Sequence, residues 1–369
     1  ELLESHDWQG LVIDEAQAIK NPSAKQSQAA RDLARPKKNS RFRIALTGTP
    51  VENRVSELWA LMDFLNPRVL GEEEFFRHRY RMPIERYGDL SSLRDLKARV
   101  GPFILRRLKT DKAIISDLPE KVELSEWVGL SKEQKSLYAK TVEDTLDAIA
   151  RAPRGKRHGQ VLGLLTKLKQ ICNHPALALK EQGASEDFLK RSVKLQRLEE
   201  ILDEVMEAGD RALLFTQFAE WGKLLQDYLQ RRWRSEVPFL SGSTSKSERQ
   251  AMVDRFQEDP RGPQLFLLSL KAGGVGLNLT RASHVFHIDR WWNPAVENQA
   301  TDRAYRIGQT NRVMVHKFIT SGSVEEKIDR MIREKSRLAE DIIGSGEDWL
   351  GGLEMGQLKE LVSLEDNQA

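Results

Sequence analysis

Short apolar runs at residues 211–216, 237–240, 265–269, 285–289 and 313–319 recur through the C-terminal half, each separated from the next by a stretch long enough for a helix. Strands that alternate with helical segments cannot be joined by hairpins. They predict a parallel sheet with helices on both faces. Residues 10–13 (GLVI) and 41–46 (RFRIAL) carry the same signal near the N-terminus. A chain of 369 residues is too long for one ordinary core, so two lobes of this α/β type are expected.

In such sheets ligands bind beyond the carboxyl ends of the strands, so the residues that follow each run are the candidates for chemistry. The run 10–13 ends on Asp14-Glu15-Ala16-Gln17. Asp14 suits Mg²⁺, directly or through water, because that ion takes a few carboxylates together with phosphate oxygens. Glu15 suits the orientation and deprotonation of an attacking water. Taken alone, DEAQ is also an ordinary strand end with acids at a helix start. The run 41–46 leads into Thr47-Gly48-Thr49-Pro50, hydroxyls around a flexible glycine with a proline that fixes the start of the next helix. In the helix that follows, Leu58, Leu61, Met62 and Leu65 form a core stripe.

The stretch 289–309, DRWWNPAVENQATDRAYRIGQ, is the densest in polar chemistry. If the segment after Pro294 is helical, Gln299, Arg303 and Arg306 project from one face. A guanidinium's planar fork then suits a transferring phosphoryl group. The bland reading is a solvated helix in which Asp302 pairs with Arg306. Three further post-strand loops, around Gln217, around Ser243 and Thr244, and from Lys271 through Gly273, Gly276 and Asn278 to Thr280, combine small hydroxyls and glycines with one lysine. Such loops let backbone N–H groups approach phosphates without reading sequence. Trp291 and Trp292 are adjacent, so one is packed and the other is open to a partner.

The strings DEAQ, LTGTP, FILRRLK, ICNHP, WNP, QAxDR and RIGQ, in this order, resemble the Swi/Snf-type ATPases of helicase superfamily two across nearly all of residues 10–343. The resemblance implies two RecA-like lobes of the P-loop NTPase type, with ATP and Mg²⁺ as cofactors and double-stranded DNA, with protein bound to it, as partners. It implies nucleotide contacts at Asp14, Gln17, Thr47, Gly276 and Asn278, and catalysis by Asp14, Glu15, Gln299, Arg303 and Arg306. It implies DNA contacts at Gln217, Ser243, Thr244, Lys271, Gly273, Thr280 and one of Trp291 and Trp292. The domain limits it suggests are 1–119 for the C-terminal part of lobe 1 with a helical insertion, 120–190 for further helical insertion and linker, 191–343 for lobe 2 with a brace helix, and 344–369 for an acidic tail. Gln17 and Tyr305 stand where many relatives carry histidine, and both keep a polar tip.

Nowhere does G-x-x-x-x-G-K-[ST] occur. In relatives that phosphate loop precedes the acidic motif, so the resemblance places it upstream of Glu1 and makes this chain inactive by itself. The expected function is ATP-driven translocation on duplex DNA with remodelling of protein–DNA complexes. A non-catalytic DNA-binding or scaffolding module and an RNA helicase of the same superfamily are the alternatives.

Composition narrows the setting. A net charge of +3 does not announce a nucleic-acid binder, although basic residues cluster at 35–43, 106–112, 151–157 and 231–234. Cys172 is the single cysteine and, with His174, gives too few ligands for zinc. No apolar run nears 18 residues and no basic-then-apolar leader opens the chain, which predicts an intracellular protein, cytoplasmic and nucleoid-associated in a prokaryote or nuclear in a eukaryote.

Overall fold

The computed structural model describes residues 3, 6, 8–21, 24–34, 42–47, 55–105, 118–270, 276–338 and 355–365. The chain divides into two units, Glu1–Asp111 with Glu334–Glu347, and Lys112–Arg333 with Asp348–Ala369.

In the first unit, β1 (Gly10–Ile13) pairs in parallel with β2 (Phe42–Ala45), Gly10 opposite Phe42 and Ile13 opposite Ala45. The Phe42 ring lies over Gly10, where a Cβ would sit 2.3 Å from its tip, so any other residue there would have to displace the ring. Between the strands runs α1 (Lys25–Leu33), and after them α2 (Val55–Leu65). Leu58, Leu61 and Met62 of the expected stripe are buried, and so are Trp59 and Phe64, because α2 is covered on two sides. Leu61 and Phe64 pack on Ala16, Ile19 and Ala34. Leu58, Trp59 and Met62 pack on the helical insertion, α3 (Glu73–Phe76), α4 (Met82–Tyr87) and α5 (Leu90–Val100). Asp89 caps α5 by accepting from the Ser91 and Ser92 N–H groups.

The second unit holds a six-stranded parallel sheet in the order β3-β8-β7-β4-β6-β5. Its strands are β3 (Lys121–Val128), β4 (Ala212–Thr216), β5 (Phe239–Leu240), β6 (Leu265–Ser269), β7 (His284–His287) and β8 (Val313–Thr320). The central β4 and β6 are buried at every residue, as continuous apolar runs require when both faces are covered. Alternation divides them: Leu214 and Leu267 enter one core, Leu213, Phe215 and Leu268 the other.

Residues 120–190 are expected to be helical insertion and linker, yet 121–128 pair with β8 along its whole length and form the edge of this sheet. An edge strand with exposed polar residues lacks the continuous apolar run that marked its neighbours. The helices α6 (Lys132–Arg151) and α7 (Arg154–Asn173) follow, so the basic cluster at 151–157 lies on two helix ends joined by Ala152 and Pro153. A capping box, Ser131 with Gln134, starts α6. Next come α8 (Pro175–Leu179), α9 (Val193–Ala208), α10 (Ala219–Trp233), α11 (Lys246–Glu258), α12 (Pro294–Thr301), α13 (Val324–Leu338) and α14 (Met355–Val362). The last is one short helix within the segment 344–369 expected to be an acidic tail, and such a helix fits that expectation; its Leu358, Leu361 and Val362 are buried with Val324, Ile328 and the α6–α7 hairpin. Of the basic clusters, Arg231 and Arg232 are paired with Asp227, Glu199 and Asp203. Among the described residues no helix is long and apolar enough to cross a membrane.

Two buried histidines set an acid limit on this unit. His174 caps α8 through Nδ1, which accepts from the Ala176 N–H at 3.0 Å, and stacks on Phe188. Burial lowers its pKa to about 4, and burial lowers that of His287 to about 3. Both unfolded values lie near 6.5, so between there and the folded values the unfolded chain binds more protons. The stability these neutral rings contribute is therefore present above pH 6.5 and lost as pH falls towards 4, on the order of 3–5 kcal/mol each. Unfolding free energies from urea titrations at pH 7.5 and 4.5 are expected to differ by several kcal/mol, with a shallower dependence on pH in His174→Asn. A flat profile contradicts this account.

Candidate active site and its supporting network

The acidic motif sits at the carboxyl end of β1. Glu15 adopts φ 50° and ψ 51°, a left-handed conformation uncommon for a side chain of this kind and typical of functional turns. Its N–H donates to Asp14 Oδ1 at 2.9 Å, its Oε2 accepts from Gln17 Nε2 at 2.6 Å, and Gln17 Oε1 accepts from Thr47 Oγ1 at 2.8 Å. The second residue past each of the two paired strands, Glu15 after β1 and Thr47 after β2, is thereby joined by one amide: Gln17 holds the Glu15 carboxylate with its NH₂ end and Thr47 with its carbonyl end. Asp14 is exposed and Glu15 half-buried. The rest of the LTGTP motif, Gly48, Thr49 and Pro50, lies outside the described residues, as do Lys271 and Gly273.

Because all strands of the larger sheet are parallel, the loops after β4, β5, β6 and β7 emerge at one edge. After β5, Ser243 is exposed with its Oγ 2.8 Å from Ser241 Oγ, and Thr244 Oγ1 accepts from the Ser241 N–H at 3.0 Å. Gly276 has φ +57° and is exposed, like Asn278; Thr280 Oγ1 accepts weakly from Gln257 at 3.4 Å.

The expected single face of Gln299, Arg303 and Arg306 does not form. Asn293 caps α12 and Pro294 starts it, but the helix ends at Thr301, leaving only Gln299 on it. Tight turns follow: the Ala304 N–H donates to the Thr301 carbonyl, that of Arg306 to Ala304 and that of Gln309 to Arg306. Gln309 closes them by donating to the Ala282 and Ala304 carbonyls, beside Gly308 at φ +98°. Helical spacing therefore fails after 301, and Arg303 is buried while Arg306 is exposed. The Leu279 N–H donates to the Arg303 carbonyl at 2.9 Å, which docks the Gly276–Asn278 loop on this turn. Tyr305 is buried with the Lys121 ammonium 5.7 Å from its ring centre.

Of the two tryptophans Trp292 is the buried one, 7 % exposed, with Lys169 Nζ 4.7 Å from its ring centre; Trp291 is half-buried. Gln217 is held inward. Its N–H and Nε2 donate to Asp289 Oδ1 at 3.0 and 2.8 Å, and its Oε1 accepts from Lys169 at 3.4 Å. Asp289 also accepts from Thr216 Oγ1 at 2.6 Å and Asn173 Nδ2 at 3.1 Å. Burial pushes its carboxyl up, and these donors act in the opposite direction.

The network runs deeper than any sequence motif. Asn173 Oδ1 accepts from Lys194 Nζ at 3.0 Å, and Lys194 meets both Glu325 oxygens at 2.8 Å. Glu325 in turn accepts from the Thr320 N–H at 3.0 Å. Arg290 bridges Glu297 at 3.0 Å and Asp329 at 2.9 Å. Sequence reading missed Lys169, Lys194, Glu297, Glu325 and Asp329. The usable signal was a lysine or glutamate at a position where helical spacing calls for an apolar residue. Cys172 belongs to this core as an inert thiol pushed up to about 12 by burial, and no group of metal-binding side chains occurs among the described residues.

The SNF2-related domain matches residues 1–177, and the helicase conserved C-terminal domain residues 193–308. A putative ATP-dependent helicase/translocase of Bacillus subtilis is 47 % identical over 99 % of this chain. A SWI/SNF-related, matrix-associated, actin-dependent regulator of chromatin from mouse (subfamily A member 1) is 37 % identical over 92 %. The chain spans 38 % and 32 % of the lengths of these two relatives. The SWI2/SNF2 ATPase core of Sulfolobus solfataricus, solved in complex with double-stranded DNA, is 44 % identical and superposes with a TM-score of 0.59, covering 99 % of this chain and 75 % of that one. Two parallel α/β units with these motifs at their strand ends, and this degree of identity to a Swi/Snf core, establish that the chain belongs to the Swi/Snf-type family of ATP-dependent helicases and translocases, with RecA-like lobes.

Proposed function

We propose that this chain is part of an ATP-driven motor that translocates on double-stranded DNA and remodels protein–DNA complexes. The observation that carries the reading is the Thr47–Gln17–Glu15 hydrogen-bond chain, which fixes a carboxylate at a strand end in the way a water-activating base needs. Asp14, an exposed hard oxygen donor beside it, fits Mg²⁺. Asp14 would hold that ion, which would supply charge neutralisation to the nucleotide phosphates. Glu15 orients the attacking water and takes its proton. Arg306, exposed in the second unit, supplies transition-state charge, with buried Arg303 and part-buried Gln299 as the further polar groups of this segment. Gly276 and Asn278 lie towards nucleotide, while Ser243, Thr244, Lys271, Gly273, Thr280 and Trp291 contact the duplex backbone. The inward ties of Gln217 and the burial of Trp292 favour a supporting role for these two. The solved relative's complex with double-stranded DNA supports a DNA partner.

Since no phosphate-binding loop occurs in residues 1–369, hydrolysis is proposed to need that loop. Phosphate release should be measured on this chain and on an N-terminally extended form that carries the loop, each with duplex DNA, with duplex RNA and without nucleic acid. The expected result is no turnover by the first and DNA-stimulated turnover by the second. Stimulation by RNA alone points to the RNA helicase reading. No turnover by the extended form overturns the motor and leaves a DNA-binding module.

A further inference from the structure

Lys+Arg and Asp+Glu nearly balance over the chain, 58 against 55, yet residues 154–173 carry Arg154, Lys156, Arg157, Lys167 and Lys169 with no carboxylate at all. These residues form α7. Val161, Leu164, Leu165, Leu168 and Ile171 define its buried face, and Lys169 is occupied internally by Gln217 and Trp292. On the opposite face Lys156, Gly159, Gln160, Gly163, Thr166 and Lys167 are all exposed. Lys156 and Lys167 stand eleven positions apart, three turns, and so share one line about 16 Å long. Nothing within 4 Å would meet a Cβ at Gly159 or Gly163, so no neighbour in the chain calls for glycine there, although glycine weakens a helix interior. The line is thus a low, polar floor with an ammonium at each end.

We propose that this exposed face of α7 docks the sugar–phosphate backbone of duplex DNA, apart from the loops at the sheet edge. The inference rests on the DNA reading above. Two lysines without a competing acid on their helix match a phosphate backbone, and the side-chain-free floor lets the strand come close to the helix. Lys169, on the inner side of the same helix, ties it to the Gln217 loop, so a duplex seated there bears on the sheet edge through a rigid element.

The test is binding of a fluorescent 40-base-pair duplex by the intact protein across a series of salt concentrations, with Lys156→Gln/Lys167→Gln and, separately, Gly159→Gln/Gly163→Gln. The lysine variant is expected to make the log–log salt dependence shallower by about two, close to 0.9 per phosphate contact. The glycine variant keeps every charge and improves helix propensity, so its Tm should hold or rise while duplex affinity falls several-fold. Wild-type binding with unchanged slope and affinity in both variants overturns this surface and leaves the motor reading intact. Absence of duplex binding by the wild type sinks both. Variant-sensitive binding to anionic vesicles but not to the duplex assigns the face to a membrane surface and overturns the proposal.

Discussion

Glu15→Gln in the loop-bearing protein is expected to lower kcat for ATP hydrolysis by about a thousandfold while leaving nucleotide affinity within a few-fold of wild type. A positioned general base contributes roughly 10²- to 10⁴-fold. Glutamine keeps the volume of Glu15 and can still present an oxygen to Gln17 Nε2, 2.6 Å away in the native site, so the hydrogen-bond chain to Thr47 survives and only proton abstraction is lost. The left-handed backbone at residue 15 is also unaffected, because the substitution does not touch Cβ. Single-turnover hydrolysis separates the chemical step from binding. A kcat within threefold of wild type removes Glu15 from the role of base, and shifts attention to water positioning by other groups.

How much of this was legible in the sequence follows from what each feature depends on. The strands β4 and β6 were readable because burial on both faces leaves unbroken apolar runs. At the edge of the same sheet, β3 was not, since Lys121, Glu123 and Glu126 face water or polar partners and break the run. Local spacing correctly put Asp14, Glu15 and Gln17 after a strand but could not show that Gln17 joins Glu15 to Thr47, thirty residues on. At Arg303 and Arg306, helical spacing misled because Gln309 folds back on Ala282 and Ala304 and pulls the segment into turns. That contact is tertiary, and no helix propensity records it. The packing of Leu358 and Leu361 was hidden by the acidic residues around them.

The Lys194–Glu325 pair carries the second large expectation. Its members lie 131 residues apart, on α9 and α13, with side chains 2 % and 0 % exposed. Lys194→Met leaves a buried carboxylate still accepting from the Thr320 N–H, and Glu325→Leu leaves a buried ammonium beside Asn173 Oδ1. Each single substitution is expected to cost about 3–5 kcal/mol by chemical denaturation, because the surviving charge loses its counter-ion without regaining water. The double substitution should recover most of this, since two apolar side chains of similar volume need no solvation. The coupling energy then comes out at several kcal/mol. The recovered fold is not expected to recover function. Asn173 holds both Lys194 and Asp289, and Asp289 fixes Thr216 and Gln217, so removing the pair loosens the β4 loop even where the core is stable. In the double variant, duplex stimulation of ATP hydrolysis should fall several-fold while basal hydrolysis stays near wild type. Equal costs for the double and the sum of the singles refute the buried-pair energetics. Full DNA stimulation in a stable double variant shows instead that the network holds the fold and has no part in coupling.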